Sequence, residues 1–136
     1  MKKVCAMIIP LMGILILILL VSWNINDKIY VDKEKSYYSD FKVEDEKVFI
    51  ECCITLVNTF DVEKTINLSA NLPDDVTIGL LKNEEITASY ADGSKMEFVL
   101  PPDSSESFDV VFVGEYSGKN QKSDRGLPEI NIRIVE

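Results

Sequence analysis

Lys47 to Asn58 reads KVFIECCITLVN, and this stretch decides the fold class. Val48, Ile50, Cys52, Ile54 and Leu56 recur at every second position, with Phe49, Glu51, Cys53, Thr55 and Val57 between them. A period of two marks a half-buried strand, because successive side chains leave opposite faces of the backbone. The first row is wholly apolar, so it predicts a long strand with a defined core side.

The same period continues toward the C-terminus. Thr59–Lys64 reads as a connection, and Thr65–Leu72 alternates again, with Ile66, Leu68, Ala70 and Leu72 inward. Pro73 ends that strand, since it cannot donate to a ladder. Asp74 and Asp75 precede the apolar patch Val76–Leu81, where an Asp can cap a short helical turn; Gly79 counts against a helix, so this is read as a crossing segment. Ile86–Tyr90 is a short strand, and Ala91-Asp92-Gly93-Ser94 is a hairpin turn, since Asp-Gly supplies the positive φ such turns demand. Lys95–Leu100 is expected to return with Met96, Phe98 and Leu100 on one face. Pro101–Ser105 reads as a loop, and Phe108–Tyr116 as a strand with Phe108, Val110 and Phe112 inward. After the polar stretch Ser117–Leu127, Pro128 opens a last strand in which Ile130, Ile132 and Ile134 alternate with Asn131, Arg133 and Val135. Six or seven strands separated by turn chemistry predict an all-β, antiparallel sandwich or barrel.

Val99 to Gly114, VLPPDSSESFDVVFVG, joins a strand end, a Pro/Ser/acidic loop and a second alternating strand. It resembles the strand–loop–strand pattern of bacterial immunoglobulin-like and fibronectin-type-III-like cell-surface domains, and the resemblance extends over Lys47 to Glu136. The chain departs from antibody-type domains in lacking spaced Cys…Trp…Cys residues, its one tryptophan being Trp23. The resemblance implies an Ig-like β-sandwich of about seven strands that works as an adhesion, scaffold or accessory module. Function would then lie in loops or sheet edges rather than in the core.

Upstream, Lys2-Lys3 is followed by an uncharged run from Val4 to Trp23, VCAMIIPLMGILILILLVSW. About 20 helical residues match the thickness of a bilayer's hydrocarbon core. The leading lysines place the N-terminus in the cytoplasm, and Trp23 sits where an interfacial aromatic would anchor the outer end. A cleaved signal peptide is the competing reading, but Leu20 is a poor −3 residue for cleavage after Ser22. The layout resembles that of bacterial membrane-anchored proteins. The expected organisation is a transmembrane or signal helix over 1–23, a polar stalk over 24–40 whose Ile29-Tyr30-Val31 patch could contribute a first edge strand, and one β domain over 41–136. It predicts a single-pass membrane protein with an extracytoplasmic C-terminal domain, or a secreted one if the segment is cleaved.

Composition narrows the function. The chain carries 23 acidic residues against 14 basic ones, for a net charge of −9. Nucleic acid is therefore not an expected partner, because its phosphates must be neutralised by Lys and Arg. The absence of histidine removes Ser-His-Asp, Cys-His and HExxH chemistry. No catalytic residue, cofactor or metal ligand set is assigned. Cys52 and Cys53 are neighbours on a strand, so they leave opposite faces; Cys52 is expected in the core. The acidic groups Glu44-Asp45-Glu46, Asp74-Asp75 and Glu84-Glu85 contain no calcium-loop pattern. Lys119–Leu127 is the one basic-leaning stretch, and Lys119, Lys122 and Arg125 are the candidate partner-binding residues. Arg125 has an alternative role, tying that loop down on a carboxylate. The expected function is a non-enzymatic module for protein interaction or envelope scaffolding, the alternative a ligand- or calcium-binding sensor subunit.

Overall fold

The computed structural model describes residues 27–119 and 125–135. The expected anchor over 1–23 and Lys122 lie outside these residues. The described chain forms eight strands: β1 (Ile29–Val31), β2 (Tyr37–Glu44), β3 (Lys47–Asn58), β4 (Lys64–Asn71), β5 (Glu85–Tyr90), β6 (Phe98–Leu100), β7 (Ser104–Glu115) and β8 (Glu129–Val135). One short helix, α1 (Pro73–Thr77), joins β4 to β5. Every strand pairing is antiparallel.

β3 is the backbone of the first group of strands. It pairs with β7 over its whole length, from Lys47↔Glu115 to Asn58↔Ser104. Its other edge is shared by β1, opposite Leu56–Asn58, and β2, opposite Lys47–Cys53. Part of the stretch read as a stalk thus sits in the sheet: Ile29–Val31 and Tyr37–Asp40 both contact β3. The turn from β2 to β3 has two residues, Asp45 (φ 51°) and Glu46 (φ 62°). Two successive positive φ values are the geometry of a tight hairpin turn whose twist matches its strands.

β4 organises the second group. β8 runs along one edge, from Thr65↔Val135 to Asn71↔Glu129. The other edge is divided, with β6 opposite Lys64–Ile66 and the first half of β5 opposite Ser69–Asn71. The second half of β5 leaves β4 and pairs with β7, Ala88↔Phe112 to Tyr90↔Val110. This one strand links both groups into a continuous eight-stranded sheet.

The core lies inside that sheet. Val48, Ile50, Cys52, Ile54 and Leu56 of β3 are all buried, as their spacing predicts. Ile66, Leu68 and Ala70 of β4, Phe98 and Leu100 of β6, and Val110 and Phe112 of β7 belong to the same cluster. Each large apolar side chain contributes roughly 1.5–3 kcal/mol of burial. Gly114 marks where β5 leaves β7. A Cβ there would stand 2.6 Å from Leu81 Cδ2 and 3.0 Å from Ile86 Cγ2. These two side chains fill the opening, and only glycine leaves them room.

Three details differ from the sequence reading. Gly79, counted against a helix, ends one: its φ of +84° follows Ile78, the C-cap of α1. The Ala91–Ser94 turn forms, with Gly93 at φ +75° and Tyr90 N–H bonded to Lys95 O at 2.9 Å, but no hairpin ladder continues from it. Phe98 instead pairs with Ile66 of β4 and packs edge-on against Tyr90 and Phe108. Met96, expected on the inward face, is 54% exposed. Finally, β7 begins at Ser104, inside the expected loop. Buried Asn58 orders that region, its amide donating to Pro101 O at 2.9 Å and its Oδ1 accepting Phe60 N–H at 3.0 Å. Among the described residues, no helix is long and apolar enough to cross a membrane.

Candidate functional site

The parting of β5 and β7 creates a concavity of about 500 Å³. Its position follows from strand parity. Lys47, Val113 and Glu115 stand on the outward face of β3 and β7, and Thr87 and Ser89 on that of β5. Ile86 and Gly114 line it from the core side of the opening, while Gly93 and Met96 come from the turn after β5. Asn83 and Glu85 complete the lining. The result is a partly apolar floor of Ile86, Val113 and Gly114, a methionine wall, and a charged rim of Lys47, Glu85 and Glu115. A hollow of this size holds a few side chains of a partner or a small ligand.

A second hollow of about 210 Å³ adjoins it, lined by Asp45, Glu46, Lys47, Lys82, Glu115 and Tyr116. Lys47 and Glu115 are common to both. The backbone here is well tied, because Glu46 O accepts Tyr116 N–H at 2.9 Å and Glu115 O accepts Lys82 N–H at 3.1 Å. In the sequence Asp45-Glu46 and Glu85 stood out only within acidic groups and Gly93 only within a turn, with nothing to link them. The residues of the two hollows come from four separated stretches, and only the departure of β5 from β7 brings them together.

The basic stretch is arranged differently. The Arg125 guanidinium makes two hydrogen bonds to the Asp75 carboxylate, Nη2–Oδ1 at 2.6 Å and Nη1–Oδ2 at 3.2 Å. Both side chains are 11% exposed. The guanidinium also lies 4.6 Å from the centre of the Phe41 ring. Arg125 thus bridges α1 and β2, the tie-down role weighed in the sequence. Asp75 is in turn held by its own carbonyl, which accepts Leu80 N–H at 2.9 Å and Leu81 N–H at 3.1 Å. Lys119 is exposed beside Gly79, its N–H bonded to Gly79 O at 3.2 Å. Lys122 lies outside the described residues, so of the three candidates the structure places Lys119 beside Gly79 and Arg125 on Asp75.

Cys52 and Cys53 are both free thiols. Burial pushes the Cys52 thiol up to about 11 from an ordinary value of 9.0, with Cys53 adding to the effect. A thiol held protonated is a poor nucleophile and metal ligand. On the outer face, a hydrogen bond with Cys53 raises the Tyr37 hydroxyl above its ordinary value. Because the folded Cys52 binds its proton more tightly than the unfolded one, its contribution to stability is full below pH 9 and is lost as pH rises through about 11. Wild type is expected to lose thermal stability over that window, and Cys52→Val to lose less. Equal alkaline slopes of Tm against pH in the two proteins would remove Cys52 as a cause.

Among the described residues no group of three Cys, Asp or Glu side chains is placed to hold a metal ion. No protein-family model matches this chain, and comparison with curated proteins and with solved structures returned no match.

Proposed function

We propose that this chain is a membrane-anchored, extracytoplasmic, immunoglobulin-like module that works by binding another protein, with no chemical step of its own. The observation that carries this reading is the hollow on the outer face of the sheet. It combines an apolar floor, a charged rim and the half-exposed Met96, and it opens to solvent over the core residue Ile86. Protein contacts favour such sites, where a flexible thioether adapts to a partner's side chains. The immunoglobulin-like assignment draws support from two antiparallel groups, one built on β3 and one on β4, that share a single core. The anchor rests on Lys2-Lys3 and the uncharged run from Val4 to Trp23.

A photo-crosslinking amino acid in place of Met96, in the full-length chain in its native membrane, tests the reading. Val62 is the control position: it is 50% exposed and lies in the loop beyond the opposite end of β3. The expected result is one discrete product from Met96, absent from Val62 and competed away by excess unmodified chain. No product, or the same unsaturable smear from both positions, would overturn it.

A further inference from the structure

We infer that the occupant of this site is a positively charged, partly apolar peptide segment. The inference rests on the protein-binding reading and names the chemistry of the partner. The two hollows meet at Lys47 and Glu115, which line both, and together make up the proposed groove. Four carboxylates line it, Asp45, Glu46, Glu85 and Glu115, against two ammonium groups, Lys47 and Lys82. The strand register sets Lys47 opposite Glu44 and Glu115, and Glu44 is itself paired with Lys42 at 3.5 Å. Glu84 adds a further exposed carboxylate next to Glu85. The groove thus concentrates negative charge in a chain whose net charge is already −9.

Acidity alone would describe a solvated surface. Here Glu85 and Glu115 rim a floor formed by Ile86, Val113 and Gly114, with Met96 as one wall, and Asp45 and Glu46 extend the negative charge into the adjoining hollow. A purely basic ligand would leave that floor wet, and a purely apolar one would desolvate the rim without compensation. A segment alternating Lys or Arg with Leu or Met satisfies both. Complementary charge of this kind accelerates encounter and is weakened by salt.

The test uses the full-length chain in phosphatidylcholine nanodiscs, labelled with ¹³C at the methionine methyls. Met96 is the one methionine after Met12, so its signal reports the groove directly. The probes are acetyl-KLKMKL-amide, its acidic counterpart acetyl-ELEMEL-amide, and acetyl-KSKSKS-amide, which keeps the charge without the apolar side chains. Saturable displacement of the Met96 methyl signal by the first peptide is expected, with little from the other two. Affinity should fall about tenfold or more in Glu85→Lys/Glu115→Lys, and also on raising salt to about 0.5 M. Both carboxylates are exposed, so the variant is expected to keep its fold, and Glu85→Gln/Glu115→Gln provides a milder second case. An unmoved Met96 signal, equal binding of the acidic peptide, or affinity indifferent to both variants would overturn the inference. If crosslinking from Met96 still succeeds in that event, the protein-binding reading stands and only the partner's chemistry is wrong. If both fail, the site is not a protein contact.

Discussion

Arg125→Met is expected to cost about 3–5 kcal/mol of folding stability, the range for breaking a buried ion pair by removing one partner. The loss comes from the carboxylate left behind. Asp75 would stay mostly buried with neither of its two guanidinium hydrogen bonds. Asp75→Leu is expected to be as harmful for the mirror-image reason. The double replacement Asp75→Leu/Arg125→Met removes both charges and is expected to recover most of the loss, because apolar residues of similar volume often replace such a pair at little net cost. Arg125→Lys should rescue poorly, since an ammonium cannot reproduce the two-point bond or the contact with the face of Phe41. Urea unfolding of the four proteins checks the cycle. Additive losses in the double variant would show that the two residues act independently.

The second large effect is expected at Phe98. Phe98→Ala should cost about 3–5 kcal/mol, because the side chain is fully buried and its loss leaves a cavity. Its ring lies 4.8 Å from Tyr90 and 5.3 Å from Phe108, both near edge-on, and such pairs add to simple burial. Phe98→Leu is expected to lose clearly less. The consequence reaches the groove, since Phe98 fixes the end of the turn that carries Met96. Crosslinking from Met96 should therefore weaken in Phe98→Ala even at temperatures where the protein remains folded. A stability loss below about 1 kcal/mol would mean the site collapses around the missing ring.

The sequence was most informative where local pattern and burial coincide. The bounds and core face of β3 were legible, because its apolar row leaves one possible core face, although Thr55 of the other row is also buried, bonded to Ser36 and Ser107. β4 followed for the same reason, whereas in β8 Ile130 and Ile132 pack against the core but Ile134 is 39% exposed. The β2–β3 hairpin was not legible: Asp45-Glu46 occupies a turn that Asn-Gly usually marks, and the pair read as surface charge. The Asp92-Gly93 turn was legible, but not the path after it. A turn motif reports φ values over four residues, whereas the route of β6 is set by the burial of Phe98 among distant aromatics. The candidate site lay almost wholly beyond sequence reading. Lys47, Ile86, Met96 and Glu115 carry no shared spacing, and the basic stretch that did stand out yields in Arg125 a structural clamp.

By itself, then, the sequence determined the β class, the core faces of the long strands, the lack of histidine chemistry and the excess of negative charge. These follow from residue type and period two, which act over a few neighbouring positions. The tertiary structure alone decided that β5 divides its pairing between β4 and β7, that Gly114 yields its space to Leu81 and Ile86, and that the groove opens beside them. Those outcomes depend on which strand edges meet, and that is settled by packing between residues far apart in the chain.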